Sequence, residues 1–293
     1  MERIRTSTRF ANTNDRQRLA NLIHFETRVH RHLDWRPPLD WIGRQPFVIE
    51  EREGKILGAL ACPIEPPSIA WVRLFAVSSN ASASEVWQSL WMEAYQLLLP
   101  EAPVIVAAIP LQSWFRALLE DSQFSHANEV VMLQWEWGGQ DPGNSVFDPN
   151  PLLPECKIRP MNFDDISSVA SLDAIAFKPE WSNSEASLET AYGQASYATV
   201  VEHNNRLVGY QISTASQMGG HMARLAVHPD MQRRHVGIAL VQDTLSHFVR
   251  RGIIRVTVNT QSNNQVSLSL YEKAGFHRTG EFYPVYEYRV GQT

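Results

Sequence analysis

A proline- and glycine-rich run interrupts the chain near its middle. Residues 138–154 read GGQDPGNSVFDPNPLLP and contain three Gly and four Pro. Proline lacks a backbone donor and glycine resists ordering, so the run builds neither a helix nor the interior of a strand. The 293 residues are enough for two domains of about 150 residues each. We therefore predict one domain at 1–140, a linker at 141–155 and a second domain at 156–293.

Tryptophan and charge are unevenly divided between the two halves. Eight of the nine Trp residues lie in the first half, and only Trp181 lies in the second. Residues 1–150 carry 13 basic and 18 acidic side chains, whereas residues 151–293 carry 13 of each. The halves therefore differ in chemistry, and the net charge of −5 argues against nucleic acid as the main partner.

Several classes of protein are excluded by the sequence. It has no run of about 18 to 20 uncharged apolar residues, so we expect no membrane-spanning segment. The first residues lack the apolar core of a signal peptide, which predicts a cytoplasmic protein. Cys62 and Cys156 lie too far apart for a metal-ligand pair, and two cysteines make no disulfide framework, so we expect no metal site.

The second half alternates strands and helices. Apolar residues recur at helical spacing from Gly237 to Val249, and Gly252 is placed to end that helix. Asn264 suits the cap of a shorter helix that Gly275 ends. Strands are predicted at 198–202, 207–212, 222–227 and 253–259, followed by two strands that meet near Gly280 or Pro284. This order predicts an α/β fold.

The loop before the longer helix has the parts of an anion-binding site. Residues 225–239 read LAVHPDMQRRHVGIA, so a strand end, a basic loop and a helix start follow one another. The N–H groups at a helix N-terminus favour negative charge, and Gly237 lets the backbone approach a phosphate. Arg233 and Arg234 add cationic donors. Pyrophosphate suits this combination, and a solvated basic turn is the alternative.

A second motif lies downstream, at residues 264–276, which read NQVSLSLYEKAGF. Together the two motifs resemble the GNAT superfamily of acetyl-CoA-dependent N-acyltransferases. The cofactor loop of that family follows Q/R-x-x-G-x-G/A, and its later signature is N-x-x-A-x-x-L-Y-x-x-x-G-F. The matching positions are Gln232, Gly237, Asn264, Leu270, Tyr271, Gly275 and Phe276. The resemblance covers roughly residues 156–293 and implies a mixed, mostly antiparallel central sheet flanked by helices.

The resemblance implies that acetyl-CoA binds as a co-substrate. Its pantetheine arm would pair with the backbone of Leu225, Ala226 and Val227, in a slot where this strand separates from the strand at 253–259, and Asn264 would hydrogen-bond the arm or its phosphate region. The phosphates would lie on the loop and helix start, at Gln232, Arg233, Arg234, His235, Val236, Gly237, Ile238 and Ala239. Two positions depart from the family pattern. His235 replaces the first loop glycine and brings a Cβ close to the phosphates, and Ser267 replaces an alanine.

Amide formation from a thioester needs a proton acceptor and a proton donor. The attacking amine must be neutral, and the departing thiolate must be protonated. Tyr271 matches the position that the family often uses as the general acid; a passively packed ring is the alternative. The strand before the loop has no carboxylate, and period-2 alternation places His221 on the face of Leu225. His221 is therefore the first candidate for the base, with a solvated polar residue as the alternative interpretation, and Glu202 and Glu180 are further candidates.

The first half can be aligned with the second as a degraded copy. The matched segments are 46–58 with 199–209, 74–77 with 224–227, and 113–124 with 266–276. In this alignment Leu119 stands at the position of Tyr271, and residues 78–84 replace the basic loop. We therefore predict two tandem GNAT-like domains, of which the first has lost the cofactor site; an unrelated α/β domain is the alternative. Rings such as Trp87, Trp91 and Trp114 would fill the vacant slot or face the other domain.

The predicted activity is transfer of an acetyl group from acetyl-CoA to a primary amine, by direct attack in a ternary complex. The acceptor is a small-molecule amine or a protein N-terminus. A non-catalytic acyl-CoA-binding or scaffold module is the alternative function. A nucleic-acid-binding function rests only on the 22 Arg against four Lys. The chain is expected to be either a monomeric pseudo-dimer of its two copies or a homodimer.

Overall fold

The computed structural model describes residues 6–138 and 155–291. The chain forms two compact units, one reaching to Ala127 and resuming at Tyr283, the other spanning Asn128–Phe282. Both units mix helices with mostly antiparallel strands, which confirms the predicted α/β class. Of the predicted linker, only residue 155 lies within the described residues. None of the helices in the described ranges has the length and apolar content to cross a membrane.

The first unit is a sheet packed against helices. Its elements are β1 (Ser7–Phe10), α1 (Arg16–Phe25), β2 (Arg28–Arg31), β3 (Phe47–Arg52), β4 (Lys55–Ala61), β5 (Ile69–Trp71), β6 (Leu74–Val77), α2 (Ala83–Leu98), β7 (Val104–Ala108) and α3 (Ser113–Asp121), and β8 (Ser125–Glu136) starts in it. Five strands form one sheet in the order β1-β3-β4-β6-β2, and β5 pairs in parallel with β7. Over 74–124 the order is strand, helix, strand and helix, which is also the order over 224–276 in the second half of the chain.

The second unit has a similar order, but a second helix stands where the first unit has β2, and three strands instead of four then precede the long helix. Its elements are β9 (Cys156–Pro160), α4 (Ile166–Ala176), α5 (Glu185–Gly193), β10 (Tyr197–His203), β11 (Arg206–Ser216), β12 (Gly219–Val227), α6 (Val236–Arg250), β13 (Arg255–Gln261), α7 (Gln265–Lys273) and β14 (His277–Val290). The strands run β8-β13-β12-β11-β10-β9, and all pairs are antiparallel except β12 with β13. Asn264 caps α7 as predicted, because its Oδ1 accepts the backbone N–H of Ser267 at 3.2 Å.

Each unit is completed by a strand from the opposite half of the sequence. In the second unit β8 pairs with β13, from Glu136 opposite Arg255 to Val130 opposite Gln261. In the first unit the end of β14 pairs with β7, from Tyr286 to Val290. The units therefore differ from the predicted ranges 1–140 and 156–293, because the chain from Asn128 belongs to the second unit and the chain from Tyr283 to the first. The tail is also one continuous strand, where two were predicted.

The internal duplication is visible in a partly buried ion-pair arrangement near the start of each unit. In the first unit Arg9 donates to both oxygens of Asp15, at 2.7 and 2.8 Å, and to Glu51 at 2.7 Å. The second unit repeats the three distances at Arg159, Asp165 and Glu202. In both units the aspartate also accepts the backbone N–H of an asparagine three residues earlier. The spacing R-x-x-N-x-x-D occurs at both places in the sequence.

Helix and sheet approach each other closely at equivalent points in the two units. A Cβ added to Gly58 would lie 2.3 Å from Cγ1 of Val86, and a Cβ added to Gly209 would lie 3.0 Å from Cγ1 of Val236. Because a side chain at either glycine would push the helix away, these positions align α2 with α6 residue by residue. Trp87 in the first unit therefore corresponds to Gly237 in the second.

Candidate active site

Two adjacent parallel strands of the second unit separate and open a slot. β12 pairs with β13 only from Gly220 to Met222, although β12 continues to Val227 beside β11. A bulge at Ala223 interrupts the β12 register, since Arg224 and Met222 pair with consecutive residues of β11. The separation of the strands is the one that we predicted. The bulge also interrupts the alternation of side chains, so period-2 counting does not place His221 on the face of Leu225.

A cleft of about 810 Å³ lies at this separation and reaches the start of α6. The predicted cofactor residues that line it are Leu225, Ala226, Val227, Gln232, Arg233, His235, Gly237, Ile238 and Asn264. Of the other predicted cofactor residues, Val236 and Ala239 are buried in the core, and the exposed Arg234 does not line the cleft. Predicted strand, loop and helix residues therefore meet around one cavity.

Sequence reasoning missed part of the cleft lining. The unpredicted residues are Ala176, Phe177, Gln242, Val266, Ser267, Ser269, Leu270 and Lys273. Most of those on α7 are spaced three or four positions apart and form one face of the helix, and Gln242 lies four positions after Ile238 on α6. Helical periodicity from Ile238 and Asn264 reaches Gln242 and Ser267, but it does not reach the other unpredicted residues.

The loop before α6 has backbone geometry suited to holding an anion. Arg233 and His235 both adopt left-handed conformations, with φ of 60° and 64°. His235 is the N-terminal cap residue of α6 and provides no side-chain cap, so the first N–H groups of the helix remain directed outward. Gln232 donates to the Val227 carbonyl at 3.3 Å and ties the loop to β12. His235, where the family pattern has a glycine, therefore lies in the left-handed region that favours glycine.

Gly237 keeps the helix start open to the cleft. A Cβ there would lie 3.2 Å from Cδ2 of Leu270 and 3.7 Å from Cγ2 of Val227, so the position faces both α7 and β12. Arg233 and Lys273 add positive charge to the lining. The dipole of the 15-residue α6 adds to that charge, and the cleft favours an anionic ligand at this end.

The two predicted catalytic residues lie outside the cleft lining. Tyr271 is 5% exposed and packs in the apolar cluster of the second unit, with its ring 5.6 Å from that of Phe276. Burial raises the pKa of the Tyr271 phenol, and Arg224 opposes this shift. His221 is partly buried, and its Nδ1 lies 2.9 Å from the Thr257 hydroxyl. Burial lowers the pKa of His221, so the ring is neutral near pH 7.

A buried ion pair supports the wall of the cleft and was not predicted. Asp173 is fully buried and accepts from Arg224 at 2.7 and 2.8 Å, and also from the hydroxyl of Tyr210. The guanidinium of Arg224 also donates to the Trp181 carbonyl at 2.7 Å and stacks 3.5 Å over the ring of Phe177, which lines the cleft. The signal in the sequence is a carboxylate on the apolar face of α4, where charge requires a buried partner.

The corresponding region of the first unit is filled by aromatic rings. Trp87, at the position of Gly237, is 1% exposed and donates to the Ser122 hydroxyl at 2.7 Å. Its ring meets Phe75 edge-on at 5.0 Å and Phe115 at 5.6 Å. Those two residues correspond to the cleft residues Leu225 and Ser267. Trp91 stacks on Trp87 at 5.9 Å, and Trp114 packs beside Phe75 at 6.0 Å.

Comparison with known proteins identifies the domain that carries the cleft. The model of the acetyltransferase (GNAT) family matches residues 166–276, which include β12, the loop, α6 and α7. The sequence of this segment is similar to that of a GNAT acetyltransferase domain. The [ribosomal protein bS18]-alanine N-acetyltransferase of Escherichia coli K12 is 26% identical over 74 residues, which are 25% of this chain and 50% of that protein. The chain thus spans about half the length of the curated relatives it matches.

The tandem architecture is shared with solved GNAT structures. A tandem GNAT protein from the clavulanic acid biosynthesis pathway superimposes with a TM-score of 0.64 at 15% identity, covering 99% of each chain. A GCN5-related N-acetyltransferase from Sphaerobacter thermophilus gives a TM-score of 0.58 at 15% identity, covering 97% of this chain and 96% of that one. The fold of the whole chain is therefore that of a tandem GNAT protein.

Proposed function

We propose that the second unit transfers an acetyl group from acetyl-CoA to a primary amine, and that the first unit binds no coenzyme A. The observation that carries this proposal is the cleft itself, which runs from the separated strands to the N-terminus of α6. A strand edge with unpaired backbone groups suits an extended amide-containing arm, and a helix N-terminus suits pyrophosphate. The two ends of one ligand would therefore meet complementary chemistry in a single cleft.

Coenzyme A would be held mainly by backbone groups. β12 keeps its edge free of β13 at Leu225, Ala226 and Val227, and these residues would pair with the pantetheine arm. The N–H groups of the loop and of the first turn of α6 would bind the pyrophosphate. Asn264 already caps α7 with Oδ1, and its Nδ2 donates to Gln261 at 3.4 Å. Its contribution is therefore to fix the start of α7 beside the arm.

The reaction would be a direct attack of the neutral amine on the thioester carbonyl. His221 would accept the amine proton, directly or through water, because its lowered pKa keeps the ring neutral near pH 7. The tetrahedral adduct then collapses, the carbon–sulfur bond breaks, and the sulfur takes a proton from the Tyr271 hydroxyl. The phenol is protonated throughout the working pH range because burial raises its pKa.

The curated relative named above is an alanine N-acetyltransferase of a ribosomal protein. For this chain we propose a primary amine of a small molecule or of a protein N-terminus.

Turnover is tested by thiol release from acetyl-CoA across a panel of amines that includes short peptides with free N-termini. In the Tyr271→Phe variant we expect kcat to fall about 100-fold, because the thiolate loses its proton donor. The Kd of acetyl-CoA should stay within about twofold, since the ring and its packing remain. Tyr192→Phe is the control, because among the described residues the Tyr192 hydroxyl bonds only to the Met161 carbonyl, and the variant should leave kcat unchanged.

Two outcomes would contradict this proposal. Absence of coenzyme A binding would refute the cleft assignment. Binding without turnover on any amine, with Tyr271→Phe indistinguishable from the wild type, would instead favour a non-catalytic acyl-CoA-binding module. The position of Tyr271 outside the cleft lining is the observation on which that alternative rests.

A further inference from the structure

The imidazole of His221 contacts Thr257 of the neighbouring parallel strand. His221 on β12 is in register with Thr257 on β13, within the short paired segment that ends at Met222. The Thr257 hydroxyl lies 2.9 Å from His221 Nδ1. On the other side, β11 places the uncharged Thr214 in register with His221. The contact with Thr257 therefore lies immediately before the point at which the strands separate.

The hydroxyl of Thr257 has one proton and two neighbours. The hydroxyl donates this proton to the Gly220 carbonyl at 3.4 Å. Its oxygen therefore acts as the acceptor in the contact with His221. The partner atom on the ring must then be a protonated Nδ1. Within the described part of the chain, His221 Nε2 has no hydrogen-bond partner.

We infer that Thr257 is a positioning residue that holds neutral His221 in the Nδ1–H tautomer and leaves the Nε2 lone pair free as the proton acceptor. This inference rests on the proposed acetyl transfer, because only a base needs a defined lone pair. A neutral imidazole with the opposite tautomer would present an N–H at Nε2 and could accept no proton there. In other enzymes a carboxylate often orients the histidine that acts as the base. Thr257 would orient His221 in the same way without adding a charge to the site.

The tautomer can be observed directly in the full-length protein. Histidine labelled with ¹⁵N in both ring nitrogens is measured in a multiple-bond ¹H–¹⁵N spectrum at pH 8, where the ring is neutral, and the signals that disappear in His221→Gln assign the residue. We expect the wild type to show a protonated Nδ1 and an unprotonated Nε2. Thr257→Val, which has nearly the same shape, should move the signals towards the Nε2–H form. Thr257→Ser, which keeps the hydroxyl, should retain the wild-type pattern.

The same variants separate positioning from structure. We expect kcat to fall about tenfold in Thr257→Val and to stay within about threefold in Thr257→Ser, with the Kd of acetyl-CoA unchanged in both. An Nε2–H tautomer in the wild type, or an unaltered tautomer in Thr257→Val, would overturn the inference. A wild-type protein with the Nδ1–H tautomer but no turnover on any amine would refute the proposed reaction while supporting the assignment of the hydrogen bond.

Discussion

Replacing Trp87 with alanine is expected to destabilise the first unit by about 3–5 kcal/mol, as measured by urea unfolding of the full chain. The side chain is 1% exposed and contacts Phe75, Phe115 and Phe124, so its removal leaves a large cavity among rings that cannot collapse together. It also leaves the Ser122 hydroxyl without the indole donor at 2.7 Å. Trp87→Ala therefore tests whether Trp87 fills the space that corresponds to the open cleft at Gly237 in the second unit.

The control for this substitution lies on the same helix. Met92 is 66% exposed, and Met92→Ala should change the free energy of unfolding by less than about 0.5 kcal/mol. A Trp87→Ala protein as stable as Met92→Ala would show that the aromatic cluster does not support the unit. A further expectation is that Trp87→Ala gains no affinity for acetyl-CoA, because Phe75 and Phe115 remain at two of the corresponding cleft positions.

Placing the same ring in the second unit is expected to abolish acetyl-CoA binding. In Gly237→Trp the indole must occupy the cleft, because even a Cβ at this position lies 3.2 Å from Leu270 and 3.7 Å from Val227. The loop N–H groups at the start of α6 then lose access to the ligand. We expect the Kd of acetyl-CoA to rise about 100-fold or more in calorimetric titrations, which corresponds to roughly 2.8 kcal/mol.

Two other variants show whether this effect comes from occupation of the cleft. Gly237→Ala adds only the Cβ, and the flexible end of Leu270 can move by a few tenths of an ångström, so its effect should be much smaller. Gly193→Trp places an indole at an exposed position with no atom within 4 Å of the new Cβ and should leave binding unchanged. A Gly237→Trp protein that is folded and binds acetyl-CoA as the wild type does would show that the ligand lies elsewhere.

Local sequence signals predicted the second unit well because its motifs are tied to local backbone requirements. Asn264 caps α7, Gly252 and Gly275 adopt positive φ where α6 and α7 end, and β12 separates from β13 as the family resemblance implied. His235 shows the limit of pattern matching, because it replaces a glycine of the family pattern and its backbone still adopts a φ of 64°.

Partner choice between strands could not be predicted in the same way. The apolar alternation of β8 fits either unit, and only its packing with Val256 and Val258 selects the second. The same holds for the end of β14, whose Tyr286 and Val290 join the core of the first unit. These contacts join segments more than 100 residues apart, and periodicity within a strand has no information about them.

The repeated ion pair, unlike the pairing partners of β8 and β14, leaves a signal in the sequence. The R-x-x-N-x-x-D spacing at Arg9 and Arg159 could be read directly from the sequence and would have strengthened the tandem alignment. The pair of Asp173 and Arg224 is harder to find, because the two residues lie 51 positions apart and only the carboxylate breaks an apolar helical face. A buried charge in a predicted core position is the signal to search for such a partner.

The number of acetyl-CoA sites per chain, measured by isothermal titration calorimetry on the wild type and on Gly237→Trp, tests the central claim most directly. That claim is that the fold is used twice, with an open coenzyme A cleft in the second unit and a filled one in the first. We predict one site per chain in the wild type and none detectable in Gly237→Trp. Two sites per chain, or a site that persists in Gly237→Trp, would contradict it.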